Sequence, residues 1–182
     1  VQTCALPISD RSGRTGPVEI VSVGRAVEKK GFPDLIGALA KLPREPAWRF
    51  THIGGGPLLP EMKARAEAAS IADRIAWKGQ QPKSEVLAAL RQADIFTLAS
   101  RIAADGDRDG LPNVLMEAQR QGAACVATRV SAIPELIEDG ATGLLAEPGD
   151  IEGLARALGR LVADAYLRLE LGAAGHDRLR AR

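Results

Sequence analysis

The sequence is poor in the residues that build metal and redox centres, and it carries almost no net charge. Two histidines and two cysteines occur in 182 residues, and no second His or Cys is spaced to complete a metal site with His52. Two cysteines allow at most one disulfide. Cys125, inside the apolar run CVAT, reads as a small buried residue rather than a reactive one. Twenty-four Lys and Arg stand against 23 Asp and Glu, a formal net charge of +1. That balance gives no chain-wide attraction to nucleic acid or to an anionic membrane, so any basic site must be local. No apolar run approaches the roughly 20 residues of a membrane-spanning helix, and no charged, apolar, cleavable leader is evident; a cytoplasmic setting is expected. No Ser-His-Asp or Cys-His arrangement is evident and no nucleophile is assigned. The Gly-Lys-Ser/Thr of a Walker A loop and the GxGxxG dinucleotide fingerprint are both missing.

What remains is 46% hydrophobic content, enough for the core of one ordinary domain. The opening VQTCALPIS fits nothing after it. Back-translated with one choice of codons, it reads as the end of a common sequencing adapter, so residues 1–8 are expected to be a read artefact and the natural chain to have been cut upstream. Residues 9–17 are then a linker, and residues 18–182 the domain.

From residue 18 onward strand-like apolar runs alternate with helix-like periodic segments, the pattern of a parallel sheet flanked by helices. Strands are expected at 18–24, 48–54, 74–79, 94–100, 125–128 and 143–147. Helices are expected at 32–42, 58–70, 84–93 with Ser84 as its cap, 113–121, 133–139 and 150–164, with a helical tail from 166. Trp48 and Trp77 read as core, His52 as a satisfied structural residue, Glu135 as a cap-region residue, and His176 and the basic tail RLRAR as solvated.

In open α/β sheets ligands bind beyond the carboxyl ends of the strands, and the unusual residues fall in those loops. The loop GRAVEKKG (24–31) carries Arg25, a planar fork, and Lys30, a point charge; two such cations suit a diphosphate, although two solvated loop cations would look the same. In HIGGGPL (52–58), Gly54 and Gly56 permit either a ligand's close approach to the backbone or simply a tight turn. The stretch DGLPNVLME places Asp109 and Glu117 on either side of seven residues. Carboxylates facing a diphosphate would repel it, so they suit a partner that donates hydrogen bonds, such as sugar hydroxyls. The turn Gly110, Leu111, Pro112, Asn113 can aim free N–H groups at phosphates.

The ordered set GRxxxxKG, IGxGP, a strand ending in a small residue and Ser100, a carboxylate-x7-Glu pair, and VATRVSAIPELIEDGATGLLAEPGD resembles the C-terminal donor-binding domain of family 4 glycosyltransferases. The resemblance covers roughly residues 18–180. It implies an α/β, Rossmann-like parallel sheet, one half of the two-domain GT-B architecture. It implies retaining, metal-independent transfer of a sugar from a nucleotide diphosphate to an acceptor hydroxyl, with no cofactor, in polysaccharide or glycoconjugate assembly. By the resemblance Arg25 and Lys30 hold the diphosphate, Asp109 contacts the donor sugar, and Glu117 turns inward to the ribose. Gly24, Gly54, Gly56, Ser100 and residues 110–113 complete the donor site, and the backbone around Trp77, Lys78 and Gln80 meets the base. The departing phosphate takes the acceptor's proton on the same face. Three departures stand out: Asp109 is one methylene shorter than the usual Glu, Gly55 replaces a commonly acidic residue, and Ala99 replaces a common proline. The glycan or lipid-linked acceptor, any catalytic group of the N-terminal domain, and any peripheral attachment to the inner face of a membrane belong to a half that this chain lacks; its final helix is also expected to be cut short. A nucleotide-sugar-binding module without activity, a sugar-nucleotide 2-epimerase of the same architecture and an unrelated Rossmann dehydrogenase are the rival readings.

Overall fold

A computed structural model describes residues 11–181; the suspected adapter residues 1–8, with Cys4, lie outside them. Its element order is β1 (Val18–Val23), α1 (Phe32–Leu39), β2 (Trp48–Ile53), α2 (Leu59–Ala68), β3 (Ile75–Trp77), α3 (Lys83–Gln92), β4 (Ile95–Leu98), α4 (Asn113–Arg120), β5 (Ala124–Thr128), α5 (Ile133–Leu136), β6 (Leu144–Ala146), α6 (Ile151–Ala163) and α7 (Ala165–Arg180). The six strands form one parallel sheet in the order β3-β2-β1-β4-β5-β6. Every residue of β4 and β5 is buried, as continuous apolar runs covered on both faces require. The edge strands β3 and β6 are three residues long, which leaves little unpaired backbone for another chain to extend. Helix α1 packs against α2 and α6, and α4 against α3 and α7. Right-handed crossovers put α1 and α2 on one face and α3 and α4 on the other; α6 and α7, which follow the last strand, pack onto α1 and α4 respectively.

The core is aliphatic with few rings. Phe32, Leu35, Ile36 and Leu39 of α1 meet Ile20, Phe50, Ile95, Phe96 and Leu98 of the sheet in a single cluster. Trp48 is 2% exposed, as expected, with its indole N–H donated to the Pro43 carbonyl at 3.0 Å; Trp77 is only half-buried at the sheet edge. Cys125 is fully buried, and burial pushes its thiol up to about 12, so it is inert.

Five local expectations change. Helix α3 begins one residue before Ser84, capped by Pro82 in extended conformation with no side-chain hydrogen bond. Proline's fixed φ makes it an efficient stop before a helix, so the serine cap is not needed. Helix α1 ends at Leu39 rather than 42, and α5 is a single turn. His176 is 5% exposed, its Nδ1 2.8 Å from the Arg120 carbonyl, because α7 packs on β5 and α4 and turns Leu171, Gly172, Gly175 and His176 inward. In the basic tail, Arg178 pairs with Glu138 at 2.9 Å instead of facing water alone.

The segment before β1 is fastened. The guanidinium of Arg11 donates to the carbonyls of Ala93 at 2.7 Å, Gln121 at 2.9 Å, Arg91 at 3.2 Å and Leu90 at 3.3 Å. It thereby satisfies the otherwise open C-terminal carbonyls of α3 and of the turn after α4. Burial draws its pKa down to about 10, which still leaves it charged at neutral pH. Arg14 reinforces this through Asp94 at 3.3 Å, and Asp94 in turn accepts from the Glu19 N–H at 2.9 Å.

The sheet order reverses direction between β1 and β4, which makes the space beyond their carboxyl ends the topological switch point. There the backbones come too close for side chains. Gly31 has φ 61°, and a Cβ on it would run into the Ala99 carbonyl oxygen just beyond β4. Gly54 has φ 145°, and a Cβ on it would run into the Gly24 carbonyl oxygen just beyond β1. Gly55, the next residue, has open space around it. Gly31→Ala is therefore expected to cost roughly 2–4 kcal/mol in urea unfolding, from strain and overlap together. Gly55→Ala should stay within about 0.5 kcal/mol of the parent.

Candidate donor-binding site

Three loops meet at the switch point, and hydrogen bonds weld them. Toward β2, the Gly24 N–H donates to Ile53 at 2.9 Å, the Ala26 N–H to Gly55 at 2.7 Å, and the Leu58 N–H to Ala26 at 3.0 Å. Toward β4, the Arg101 N–H donates to Lys29 at 2.8 Å and the Ala104 N–H to the Glu28 carboxylate at 3.0 Å. Arg101 also reaches Asp34 of α1 at 3.3 Å. The Gly54 N–H bonds to the Gly79 carbonyl at 2.8 Å, which ties in the loop after β3.

On this frame sit the charged residues singled out from sequence. Lys30 ends a 3₁₀ turn, Glu28–Lys30, and its Nζ lies 2.6 Å from Asp109 Oδ2, with both side chains about 15% exposed. The structure thus joins the predicted diphosphate cation to the predicted sugar carboxylate. Lys29 stands beside them, 3.1 Å from Asp107 and 3.7 Å from Asp109; its hydrogen bond to Asp107, with the charge of both carboxylates, raises its pKa. Arg25 is exposed and makes no ion pair among the described residues. Glu117, halfway along α4, is paired to Lys83 at the start of α3, Nζ to Oε1 3.1 Å.

The neutral candidates also gather here. Gly24, Arg25, Gly54, Gly56, Gln80 and Val86 line a cleft of about 420 Å³. Leu111 and Pro112 lead into α4, Gly110 and Asn113 being exposed, and no side chain caps the helix start. Ser100 is fully buried; its carbonyl accepts from the Thr128 hydroxyl, while its own hydroxyl has no partner among the described residues. Lys78 is exposed and lies outside the lining of this cleft, its N–H bonded to the His52 carbonyl at 3.0 Å. Among the described residues no group of His, Cys, Asp and Glu is arranged to hold a metal ion.

Sequence reasoning missed Lys29, Asp107 and Lys83. Lys29 adjoins Lys30 and Asp107 lies two residues before Asp109, and the doubled lysine was a usable signal. Lys83 gave none, because its role depends on a contact across two helices.

His52 forms the floor under the glycine turn. Its Nδ1 is 2.9 Å from the Ser22 hydroxyl, and its ring packs edge-on against Phe32 at 4.5 Å and Trp77 at 6.0 Å. It is less completely satisfied than its sequence position suggests, since Nε2 has no partner among the described residues.

The sequence model described as "Glycosyl transferases group 1" matches residues 8–178. The chain is 40% identical over 146 residues to the amylovoran biosynthesis glycosyltransferase AmsK of Erwinia amylovora, covering 80% of this chain and 36% of that protein. The chain therefore spans little more than a third of that relative's length. Among solved structures, the C-terminal domain of the group 1 glycosyl transferase LpcC from Francisella tularensis is 27% identical with a TM-score of 0.80, covering 91% of this chain and 85% of that one. The Anabaena protein HepE, solved with UDP and glucose, has the same TM-score at 20% identity, covering 91% of this chain and 44% of that one, and shows the likeness of fold. No described helix is long and apolar enough to cross a membrane.

The buried imidazole makes acid stability a test of this floor. Burial draws His52 down to about 4 from 6.5, so as the pH falls the unfolded chain takes up the proton first. Its contribution is complete above about pH 6.5 and is lost as the pH drops toward 4, about 3 kcal/mol in all. Urea unfolding at pH 7 and pH 4 is expected to show that loss in the parent and a correspondingly smaller one in His52→Asn.

Proposed function

The chain belongs to the group 1 glycosyl transferases, and from that premise we propose that it is the donor-binding half of a retaining, metal-independent enzyme. Its donor is a nucleotide-diphosphate sugar. The observation that carries this reading is the Lys30–Asp109 pair at the switch point, on the same loop after β1 from which Arg25 lines an open cleft. The site offers cations and backbone N–H groups that suit a diphosphate beside carboxylates that suit hydroxyls. A sugar nucleotide carries both chemistries. HepE, solved with UDP and glucose, supports the donor class, and AmsK, an amylovoran biosynthesis glycosyltransferase, supports sugar transfer.

In this reading the acceptor oxygen bonds to the anomeric carbon as the bond from that carbon to the diphosphate oxygen breaks. The departing phosphate takes the acceptor's proton, on the same face of the sugar. Negative charge grows on the leaving diphosphate, and Arg25 with Lys30 stabilises it. Lys30 reaches the phosphate by exchanging its bond to Asp109, which frees that carboxylate for a sugar hydroxyl. Glu117 accepts from the ribose. The cations supply the neutralising charge that a divalent metal provides elsewhere. The acceptor binds to the second domain of a longer protein, so the isolated chain binds donor without transferring sugar.

Calorimetric titration of the chain with UDP, GDP and ADP in the presence of a chelator tests the reading. One nucleotide is expected to bind saturably and about 10- to 100-fold more weakly to Glu117→Ala. No binding to the folded chain, and none to a full-length protein containing it, overturns the assignment. In that full-length protein Arg25→Ala and Lys30→Ala should each lower turnover about 10²–10³-fold; parental turnover in either variant removes that residue from the chemistry.

A further inference from the structure

Lys83 is the first residue of α3, beside the positive end of the helix, where a lysine is electrostatically misplaced. Glu117 lies in the second half of α4, toward the negative end, where a carboxylate is misplaced in the same way. Each offsets the other's penalty across 3.1 Å. They are unequally enclosed: the Lys83 side chain is 75% exposed and that of Glu117 24%. The pair therefore fixes a largely enclosed carboxylate with an ammonium that water reaches freely. The sequence neighbours Gln80, Gln81 and Val86 line the cleft, so the contact bridges the cleft wall to the helix that carries Glu117.

Resting on the donor-site reading above, we infer that Lys83 is a positioning residue for recognition of the nucleotide ribose. It engages Oε1 of Glu117, fixes the plane of the carboxylate and leaves the other oxygen to accept from a ribose hydroxyl. A hydrogen bond weakens steeply once donor and acceptor are misaligned. A carboxylate held in one orientation thus distinguishes a hydroxyl from a hydrogen at the same carbon, and a freely rotating one distinguishes them less. A lysine that only stabilised the fold would leave that distinction untouched.

The test is titration of the chain with UDP, GDP and ADP and with their 2′-deoxy and 3′-deoxy forms. The parent is compared with Lys83→Ala, Lys83→Arg and Glu117→Ala. Lys83→Ala is expected to reduce the preference for the ribonucleotide over its weaker deoxy form by about three- to tenfold. Lys83→Arg should keep that preference, since a guanidinium maintains the charged contact, and Glu117→Ala should abolish it. An unchanged preference in Lys83→Ala beside its loss in Glu117→Ala overturns the role of Lys83 and leaves the ribose assignment standing. Equal weakening of ribo and deoxy forms in Lys83→Ala overturns it as well, because only the general field has then changed. An unchanged preference in Glu117→Ala overturns the ribose assignment itself.

Discussion

The architecture depends on a steric constraint at the centre of the sheet. The loop leaving β1 runs between the glycine turn after β2 and the end of β4, with its own backbone against theirs on both sides. A side chain at Gly31 or Gly54 would separate these layers, and the hydrogen bonds joining the three loops would open with them. Because the loops are fused, Arg25, Lys30 and Asp109 stand on one rigid floor despite coming from segments some eighty residues apart in sequence. Preorganisation of this kind lets a few charges act without first paying for loop ordering.

The local charge pattern follows from the same fusion. A chain that is nearly neutral overall concentrates Arg25, Lys29 and Lys30 in a single loop and Asp107 and Asp109 in another, and the weld brings the two into register. Each of these cations except Arg25 is matched to a carboxylate. The donor proposed for this site, with a charged diphosphate and a polyhydroxylated sugar, calls for both signs. Pairing them keeps either from standing as an uncompensated, half-buried charge.

Much of this was legible in the sequence, for identifiable reasons. DIFTLAS and CVAT read as strands because central parallel strands are apolar at nearly every position, and GRAVEKKG and DGLPNVLME read as site loops because their residue types have no use in a core. The paired carboxylates and the basic loop were found from order and spacing. What was not legible depends on long-range docking. His176 looked solvated because nothing in its own helix predicts that α7 will pack on β5 and α4. Ser84 looked like a cap because capping statistics are local, whereas Pro82 had already set the chain direction. The partners of Lys30 and Glu117 could not be read at all, since ion pairs form between side chains whose elements meet only in the folded sheet.

The four carbonyl contacts of Arg11 have a mechanical meaning. They grip the C-terminal end of α3 and the turn after α4, while Lys83 and Glu117 join the same two helices nearer the cleft. Helix α3 is about 15 Å from end to end, so it acts as a beam clamped at its far end by Arg11, with its near end held at the cleft by a single, water-exposed ion pair. A swing of only a few degrees about that clamp would carry the tip through roughly an ångström, comparable to the tolerance of a hydrogen bond. The aperture of the cleft is thus set from the opposite side of the molecule, by an arginine that lies before the first strand.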